Sequence, residues 1–310
     1  MSVVTLSICI PAYEQPMLLE RCLASLAMQT YTNFEVIVTD DSHTSSSAVV
    51  VEKFSRQLRM QYEKNTPAKG FPNNWNHALS KATGTYVWLL HQDDCLLHDH
   101  VMEQVIATIQ STQSDVLFGS FEAPQYQKFK VINQQFTAKK ITPWHLLTGN
   151  TIGPPSNVVM KRNNVQYDGR FKWLVDVEYY LRLHTSMPSW YYLQTPMIEV
   201  GIHEGQMTNI CIANPAIALQ EYILLVNMYA AKYLSNILYF DFIWRLIRNN
   251  FKSNVATTHK VLAASASKDS WLFVVHQWQQ RLPAIIRNNP IASKTIMTLC
   301  YLRLNFSNAR

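Results

Sequence analysis

Short apolar runs alternate with longer amphipathic stretches through the first third of the chain. The short runs have the length and the β-branched content of buried strands, and the longer stretches have the period of helices. Strands that alternate with helices at this spacing predict parallel βαβ units. The predicted strands cover residues 4–10, 34–39, 60–63 and 86–90, and the predicted helices begin near residues 16, 47 and 73.

The pattern becomes less regular after residue 97 and turns helical from Pro215 onward. Residues 122–140 are rich in Gln and Lys with weak periodicity, which predicts an insertion or a ribbon. The fold class is therefore predicted as α/β, with a mostly parallel sheet flanked by helices and a helical C-terminal region. Between residues 97 and 215 the pattern predicts helices at 98–112 and 174–184, and strands at 115–119, 157–160 and 197–202.

Two predicted strands run directly into adjacent carboxylates. Asp40 and Asp41 follow the second strand, and Asp93 and Asp94 follow the strand that begins after Gly84. Right-handed crossovers place the carboxyl ends of parallel strands at one edge of the sheet, where open α/β sheets bind ligands. Neighbouring carboxylates in a cleft repel each other, so a divalent cation is a natural counter-charge for Asp93 and Asp94. The alternative is a solvated turn or the N-cap of the next helix.

Charge is unevenly distributed along the chain. Its 310 residues carry a formal net charge of +6, from 27 Lys and Arg against 21 Asp and Glu. Residues 242–310 hold 10 of the basic residues and a single acid, Asp269, so 17 basic and 20 acidic residues remain in the preceding part. This asymmetry predicts an acidic partner, either membrane headgroups, a phosphate-bearing lipid or nucleic acid. No known reader motif surrounds these charges, so nucleic acid is not expected.

Composition is that of a globular protein. Hydrophobic residues make up 48% and charged residues 15% of the chain, which excludes a disordered protein. No transmembrane span or signal peptide is predicted, so the expected location is the cytoplasm. The cysteines are odd in number and lack Cys-x-x-Cys spacing, so neither a disulfide framework nor a zinc ribbon is predicted. They are Cys9, Cys22, Cys95, Cys211 and Cys300.

Two other classes of site receive little support. A dinucleotide-binding fold also carries acid after its second strand, but here the first strand ends in Pro11-Ala12-Tyr13 and not in a glycine-rich phosphate loop. With no glycine turn to cradle phosphates, a cation is the natural partner of a diphosphate. His91, His98 and His100 fit no zinc motif, and hard carboxylate ligands favour magnesium or manganese over zinc.

Several motifs in this order resemble those of family 2 glycosyltransferases, which have the GT-A fold. The resemblance spans roughly residues 5–210, so we expect a catalytic domain at 1–210 and a basic helical region at 211–310. The matching motifs are Ser7–Tyr13, Phe34–Ser42, Gly70–Asn76, Ala82-x-Gly84-x-Tyr86 and Asp93-Asp94.

The resemblance implies roles for individual residues. Asp41 would accept a hydrogen bond from the nucleotide base, Asp93 would lie by the ribose or sugar of the donor, and Asp94 would bind the metal. Gly153 matches a glycine beside the donor sugar. Three further residues of the matching motifs are expected in the nucleotide and donor site, namely Pro11, Tyr13 and Asn76.

The later motifs match less closely. Asp176 occupies the position of the family's catalytic base, with Glu178 as the alternative, and His203 that of a histidine that joins the metal. Asp176 could also be a first-turn acid favoured by the helix dipole. His91 stands where many members have a further Asp, and Val175 replaces an acid that often precedes the base.

The function implied is that of an inverting glycosyltransferase that uses Mn²⁺ or Mg²⁺. The donor would be a UDP- or dTDP-sugar, and the acceptor a glycan or lipid-linked glycan of cell-surface polysaccharide or glycolipid synthesis. A non-catalytic nucleotide-sugar or glycan-binding module and a metal-dependent phosphodiester hydrolase are the alternatives. Residues 242–310 would hold the enzyme at an anionic membrane, as a peripheral protein on its inner face, or else form a helical lid or a homodimer contact.

Overall fold

The computed structural model describes residues 6–123, 143–203, 205–253, 255–265 and 271–306. Most of the predicted insertion at 122–140 lies outside these residues. The chain forms two compact units. The first comprises residues 1–146, 150–170 and 175–204, and the second comprises residues 147–149, 171–174 and 205–310.

The first unit contains one sheet of eight strands in the order β3-β2-β1-β4-β7-β6-β8-β5. Its strands are β1 (Leu6–Ala12), β2 (Phe34–Asp40), β3 (Met60–Lys64), β4 (Tyr86–Leu89), β5 (Cys95–Leu96), β6 (Val116–Glu122), β7 (Val158–Lys161) and β8 (Trp190–Glu199).

Half of this sheet is the predicted parallel βαβ array. β1 lies between β2 and β4 and is parallel to both, and β3 is parallel to β2. β1 and β2 are buried along their whole length, as expected for strands covered by helices on both faces. Ala12 at the end of β1 pairs with Asp40 at the end of β2, so the loops that follow these strands and β4 leave the sheet at the same edge.

The other half is mixed, although parallel pairings remain the majority in the sheet as a whole. β7 is antiparallel to β4 and β6, and β5 is antiparallel to β8, whereas β8 is parallel to β6. The predicted strand at 197–202 overlaps only the last three residues of the longer β8. Its first half, residues 190–196, mixes Gln, Thr and Pro with aromatics and is partly exposed, so it lacks the apolar run of a buried strand. The α/β class and the helical C-terminal region are confirmed.

Helices of the first unit cover the sheet with regular apolar faces. α1 begins at Pro16, which suits the first turn of a helix, and buries Leu19, Cys22, Leu23 and Leu26 at the predicted spacing. The helices that lie wholly or mainly in this unit are α1 (Pro16–Ala27), α2 (Ser46–Phe54), α3 (Asn73–Ser80), α4 (Val101–Thr112), α5 (Pro143–Thr148) and α6 (Val175–Ser186).

The second unit is built around α9 (Ile237–Ser253), whose buried residues recur at helical spacing. Glu221 is 5% exposed and accepts hydrogen bonds from three consecutive backbone N–H groups, those of residues 172–174, at 2.7–2.9 Å.

No helix within the described ranges is both long and apolar enough to cross a lipid bilayer. The helices are α7 (Met207–Ala213), α8 (Pro215–Leu225), α9 (Ile237–Ser253), α10 (Val255–Ser265), α11 (Trp271–Arg281), α12 (Ala284–Asn288) and α13 (Pro290–Phe306).

Gly84 lies against the first strand just before β4. A Cβ atom at this position would lie 2.9 Å from the carbonyl carbon of Leu6 and the backbone nitrogen of Ser7. Its N–H donates to Ser7 Oγ at 2.8 Å, and Ser7 in turn donates to the buried Glu35 carboxylate at 2.7 Å. Glycine therefore allows the close approach of β4 to β1.

We expect Gly84→Ala to lower the free energy of unfolding by about 1–3 kcal/mol, because backbone atoms cannot yield as a flexible side chain can. Gly149→Ala is the matched control, since a Cβ there meets nothing within 4 Å, and it should change the free energy by less than about 0.5 kcal/mol. Urea unfolding followed by tryptophan fluorescence measures both. Equal destabilisation by the two substitutions would contradict this account of Gly84.

Candidate active site

The loop after β4 carries two carboxylates in a buried turn. Asp94 is 2% exposed, and its backbone N–H donates to the carbonyl of His91 at 3.1 Å. Asp94 Oδ1 accepts a hydrogen bond from Gly201 N at 2.9 Å, and the carboxylate accepts another from the Ser156 hydroxyl. Burial, followed by the neighbouring charge of Asp93, raises the pKa of Asp94 well above its usual value. An ionised Asp94 therefore requires a positive partner.

Residues after β8 pack directly on this loop. A Cβ atom on Gly201 would lie 1.9 Å from the carbonyl oxygen of Asp93, so only glycine fits there. Two residues later, His203 Nε2 lies 3.3 Å from Asp93 Oδ2. The hydrogen bond with Asp93 raises the pKa of His203. The long-range packing of the glycine thus brings His203 to the predicted acidic pair.

His91 also belongs to this cluster. One ligand atom from each of His91, Asp93 and Asp94 lies within 4.8 Å of the other two, and His91 Nδ1 is 4.0 Å from Asp94 Oδ2. Burial lowers the pKa of His91, which favours the neutral imidazole that binds metals. Ligands about 2.1 Å from one ion are at most about 4.2 Å apart, so small side-chain rotations would suffice to bind a divalent cation.

His91 was not predicted from the sequence as a metal ligand, because it stands where many members of the family have a further Asp. Its imidazole Nε2 is buried and has no hydrogen-bond partner among the described residues. The Trp75 ring lies beside it, with ring centroids 4.5 Å apart. The only sequence signal was its place three residues before Asp94. The residues present, two carboxylates and a neutral imidazole, fit Mn²⁺ or Mg²⁺.

Asp41 is the centre of a second network, at the end of β2. Its carboxylate is 5% exposed and accepts hydrogen bonds from Asn65 Nδ2 at 2.7 Å, Lys69 N at 2.9 Å and Gly70 N at 2.8 Å. A carboxylate offers about four lone-pair positions, so one acceptor position is left for a ligand. The preceding Asp40 faces elsewhere and accepts from Ser42 and Tyr62.

Tyr13 and the acidic loop are joined by a residue that the sequence did not single out. Gln92 Oε1 accepts from Tyr13 N at 2.9 Å, and Gln92 Nε2 donates to Tyr13 O at 2.7 Å. The Tyr13 side chain is 54% exposed, with its ring edge-on to His43. Pro11 is buried within β1 and pairs with Thr39.

Asn76 holds a neighbouring chain segment in place. Its amide donates to the carbonyl of Tyr167 at 2.9 Å and accepts from the Tyr167 N–H at 2.7 Å. The Tyr167 ring is edge-on to Trp75, with centroids 5.0 Å apart. Any contribution of Asn76 to donor binding would therefore act mainly through the position of Tyr167 and Trp75.

Gly153 has a backbone conformation that favours glycine. Its φ is +108°, and a Cβ would lie 2.8 Å from the Phe121 ring. Its carbonyl accepts from the Tyr180 hydroxyl at 3.1 Å, and its N–H donates to Asn150 Oδ1 at 2.9 Å. The loop is thus fastened to α6, the helix that carries Asp176.

Asp176 and Glu178 differ sharply although they share the first turn of α6. Asp176 Oδ1 is withdrawn from solvent and has no hydrogen-bond partner among the described residues. Burial raises the pKa of Asp176 to about 7. Glu178 is fully buried and forms a two-pronged ion pair with Arg182, with distances of 2.7 and 2.6 Å. Of the two carboxylates, Asp176 is the one free of such a salt bridge.

Known proteins similar to this chain include several named glycosyltransferases. Poly(ribitol-phosphate) β-N-acetylglucosaminyltransferase TarS of Staphylococcus aureus (strain Mu50) is 34% identical over 116 residues, which are 36% of this chain and 20% of TarS. UDP-Glc:α-D-GlcNAc-diphosphoundecaprenol β-1,3-glucosyltransferase WfgD of Escherichia coli is 27% identical over 147 residues, 47% of this chain and 56% of WfgD. An uncharacterized protein of Mycobacterium tuberculosis is 26% identical over 196 residues, 57% of this chain and 61% of that protein. The chain therefore matches less than two thirds of the length of these curated relatives.

Solved structures share the fold at low sequence identity. Residues 1–349 of S. aureus TarS in complex with UDP-GlcNAc superpose with a TM-score of 0.65 at 16% identity, over 98% of this chain and 92% of that TarS fragment. The mannosyltransferase PcManGT of Pyrobaculum calidifontis, in complex with GDP-Man and Mn²⁺, gives a TM-score of 0.53 at 11% identity, over 98% of this chain and 87% of that protein. These likenesses confirm the predicted GT-A fold.

The family itself is identified from the sequence of the first unit. The family described as "Glycosyl transferase family 2" matches residues 7–182, which is more than half of the chain. The match includes Asp41, Asp93, Asp94 and Asp176, whereas Gly201 and His203 lie beyond it. By this match, the chain belongs to glycosyl transferase family 2.

Proposed function

We propose that this glycosyltransferase is an inverting, cation-dependent enzyme that transfers a sugar from UDP or dTDP to an acceptor hydroxyl. The observation that carries the proposal is the adjacent carboxylates of Asp93 and the buried Asp94, with a neutral His91 beside them. Two adjacent carboxylates, one of them buried, repel each other unless a cation joins them when the donor binds. The same cation would neutralise the diphosphate that leaves.

Asp94 and His203 would hold the cation, Mn²⁺ or Mg²⁺, and His91 and one oxygen of Asp93, which lie within 4.8 Å of a ligand atom of Asp94, would complete the group of ligands. When bound, it would supply charge stabilisation to the departing diphosphate. The imidazole nitrogens favour Mn²⁺ over Mg²⁺, since nitrogen ligands suit transition metals better. Asp93 would accept hydrogen bonds from the ribose or sugar of the donor, and its contact with His203 orients both side chains.

Asp176 would act as the general base. Its Oδ1 atom is free to accept a proton, and a pKa of about 7 lies close to neutral pH, where a base is most effective. It would take the proton of the acceptor hydroxyl as that oxygen forms its bond to the anomeric carbon and the bond to the diphosphate breaks. A single displacement of this kind inverts the anomeric configuration. Glu178 is less suited, because Arg182 engages both of its oxygens.

The hydrogen bonds of Asp41 support uracil or thymine as the nucleobase of the donor. Its remaining acceptor position suits the N3–H group that uracil and thymine share and that cytosine lacks. The similar TarS structure contains UDP-GlcNAc, whereas the more distant PcManGT contains GDP-Man. Pro11, Tyr13 and Gly153 would line the same donor site.

The acceptor would be a glycan or a lipid-linked glycan of the cell surface. Similar proteins are named for transfer to poly(ribitol-phosphate) and to a diphosphoundecaprenol-linked sugar. The enzyme would work in the cytoplasm, at the inner face of the membrane, with its basic C-terminal region toward the lipid. A homodimer contact or a lid formed by the same region is the alternative.

One assay, the release of UDP, distinguishes transfer from the two alternative functions. A non-catalytic nucleotide-sugar or glycan-binding module would release no UDP from UDP-sugar in the presence of Mn²⁺. A metal-dependent hydrolase would release UDP equally with and without acceptor. Release that depends on both cation and acceptor is expected for the proposed transferase.

Asp94→Asn and Asp176→Asn should impair transfer for different reasons. Asp94→Asn is expected to abolish cation-dependent turnover and weaken UDP binding in Mn²⁺. Asp176→Asn should lower kcat by about 10²–10⁴-fold and leave the Kd for UDP within about threefold, because a base acts only in the transition state. Steady-state kinetics and calorimetric titration with UDP measure these quantities.

Asp99→Asn is the control for these two substitutions, since its side chain is half exposed on the surface. It should retain the activity of the wild type. An Asp176→Asn variant with most of its activity would refute the assignment of the base and make Glu178→Gln the next test.

The raised pKa of Asp176 predicts a pH-dependent stability. In the unfolded chain this carboxyl ionises near pH 3.8, and in the fold near pH 7, so the folded state holds the proton between these values. Its contribution is therefore present at low pH and is lost as pH rises toward 7. We expect the Tm of Asp176→Asn minus that of the wild type to increase from pH 5 to pH 7 and to level off above it. A difference that is constant with pH would contradict the raised pKa.

Nucleotide preference tests the role of Asp41. In thermal-shift experiments with Mn²⁺, equal concentrations of UDP or dTDP should raise the Tm more than GDP or CDP, because tighter binding to the native state adds stability. Equal shifts for UDP and GDP would refute the preference. Omission of Mn²⁺ should reduce the UDP shift, which links the nucleotide to the cation site.

A further inference from the structure

An open pocket of about 260 Å³ lies between α9 and the beginning of α13 in the second unit. No role of this pocket follows from the proposed chemistry. Most of its polar lining is basic and comes from both helices. The lining residues are Asp241, Trp244, Arg245, Arg248, Pro290 and Lys294.

The pocket has an excess of positive charge. Asp241 is paired with Arg245 at 3.0 Å. Within the ranges that the structure describes, Arg248 and Lys294 have no carboxylate at ion-pair distance, and Arg248 Nε is buried without a hydrogen-bond partner. A planar guanidinium and an ammonium around one opening are the groups that commonly bind phosphate.

The floor of the pocket is held in place by hydrogen bonds between helices. Trp244 is 1% exposed, and its Nε1 donates to Ser293 Oγ at 2.9 Å, which ties α9 to α13. The carbonyl of Trp244 accepts from Gln279 Nε2 of α11 at 2.7 Å. The basic side chains therefore project from a fixed base, and the positive end of the α13 dipole, at Pro290, adds to their field.

A row of exposed apolar side chains runs along α13 next to the pocket. These residues are spaced at helical intervals, and at 3.6 residues per turn Ile291 and Leu302 lie only about 60–80° around the helix from Lys294. The opposite side of α13 buries Met297 and Cys300, so the helix is apolar on two sides. The exposed fractions are 81% for Ile291, 54% for Leu299, 45% for Leu302 and 66% for Phe306.

We propose that this face of the second unit binds the surface of an anionic phospholipid membrane. The phosphate of a lipid headgroup occupies the pocket at Arg248 and Lys294, and the row from Ile291 to Phe306 lies at the boundary between headgroups and acyl chains. A soluble phosphate would use the basic pocket but leave the apolar row in water. The inference rests on the proposed function in one respect, since a lipid-linked acceptor would be met at that surface.

Flotation of the full-length protein with phosphatidylcholine vesicles, with and without phosphatidylglycerol, tests the proposal in low salt and EDTA. The wild type should float only with the anionic vesicles. Arg248→Gln and Lys294→Gln should each weaken binding about fivefold, and together about thirtyfold, as expected for loss of basic residues at an anionic surface. Leu302→Ser should also weaken binding, because it removes an apolar side chain from the interface.

Matched control variants distinguish vesicle binding at a defined site from a general effect of net charge. Arg281→Gln combined with Lys260→Gln removes the same charge from exposed positions outside the pocket, and Val255→Ser changes a side chain as exposed as Leu302, 47% against 45%. These controls should change vesicle binding by less than about twofold. Circular dichroism and the Tm identify any variant that fails to fold, and single-residue variants of Arg248 and Lys294 then replace the double one.

Three results would overturn the proposal. The first is absence of flotation with anionic vesicles, and the second is equal loss in the pocket and control variants. The third is binding of soluble glycerol 3-phosphate that matches vesicle binding and is unaffected by Leu302→Ser, which would assign the pocket to a soluble phosphate. Asp176→Asn should float like the wild type, so the flotation test does not depend on the proposed catalysis. Conversely, a variant that no longer floats should still transfer sugar to soluble acceptors.

Discussion

The burial of Asp94 beside the carboxylate of Asp93 is the constraint on which the site depends. Water is excluded from Asp94, so the chain itself must supply its hydrogen bonds, from Gly201 and Ser156. These two residues are distant from the loop in sequence and reach it only because β7 and β8 belong to the same sheet as β4. The mixed half of the sheet thus supplies hydrogen-bond donors to Asp94, which follows a strand of the parallel half.

α6 illustrates how environment divides the work of similar residues. Asp176 and Glu178 are two positions apart, so they leave the helix in different directions. Glu178 meets Arg182 one turn later and is neutralised within the fold. Among the described residues no cation lies at ion-pair distance from Asp176, and burial keeps its proton affinity high. The surroundings of Asp176 therefore stabilise its ionised form less than those of Glu178 do, which is the property that the proposed general base requires.

Much of the fold could be predicted from the sequence, because β1, β2 and β4 are continuous apolar runs that end in polar loops. The strand order and the mixed half could not, since Trp190–Pro196 does not show the pattern of a buried strand. In the site, Asp41, Asp93 and Asp94 were identified from strand ends and from family resemblance. Gln92, Ser156 and Gly201 were missed because their importance arises from contacts between residues far apart in sequence, and His91 because its type differs from the expected acid.

The contact between Gln92 and Tyr13 has a mechanical consequence. Its side-chain amide donates to and accepts from the same backbone residue, as a peptide group of an adjacent strand would. The chain segment after β1 is thereby tied to the acidic turn, so a displacement of one pulls on the other. Under the proposed function, movement of the donor nucleotide against Tyr13 would be transmitted to the carboxylates through these two hydrogen bonds.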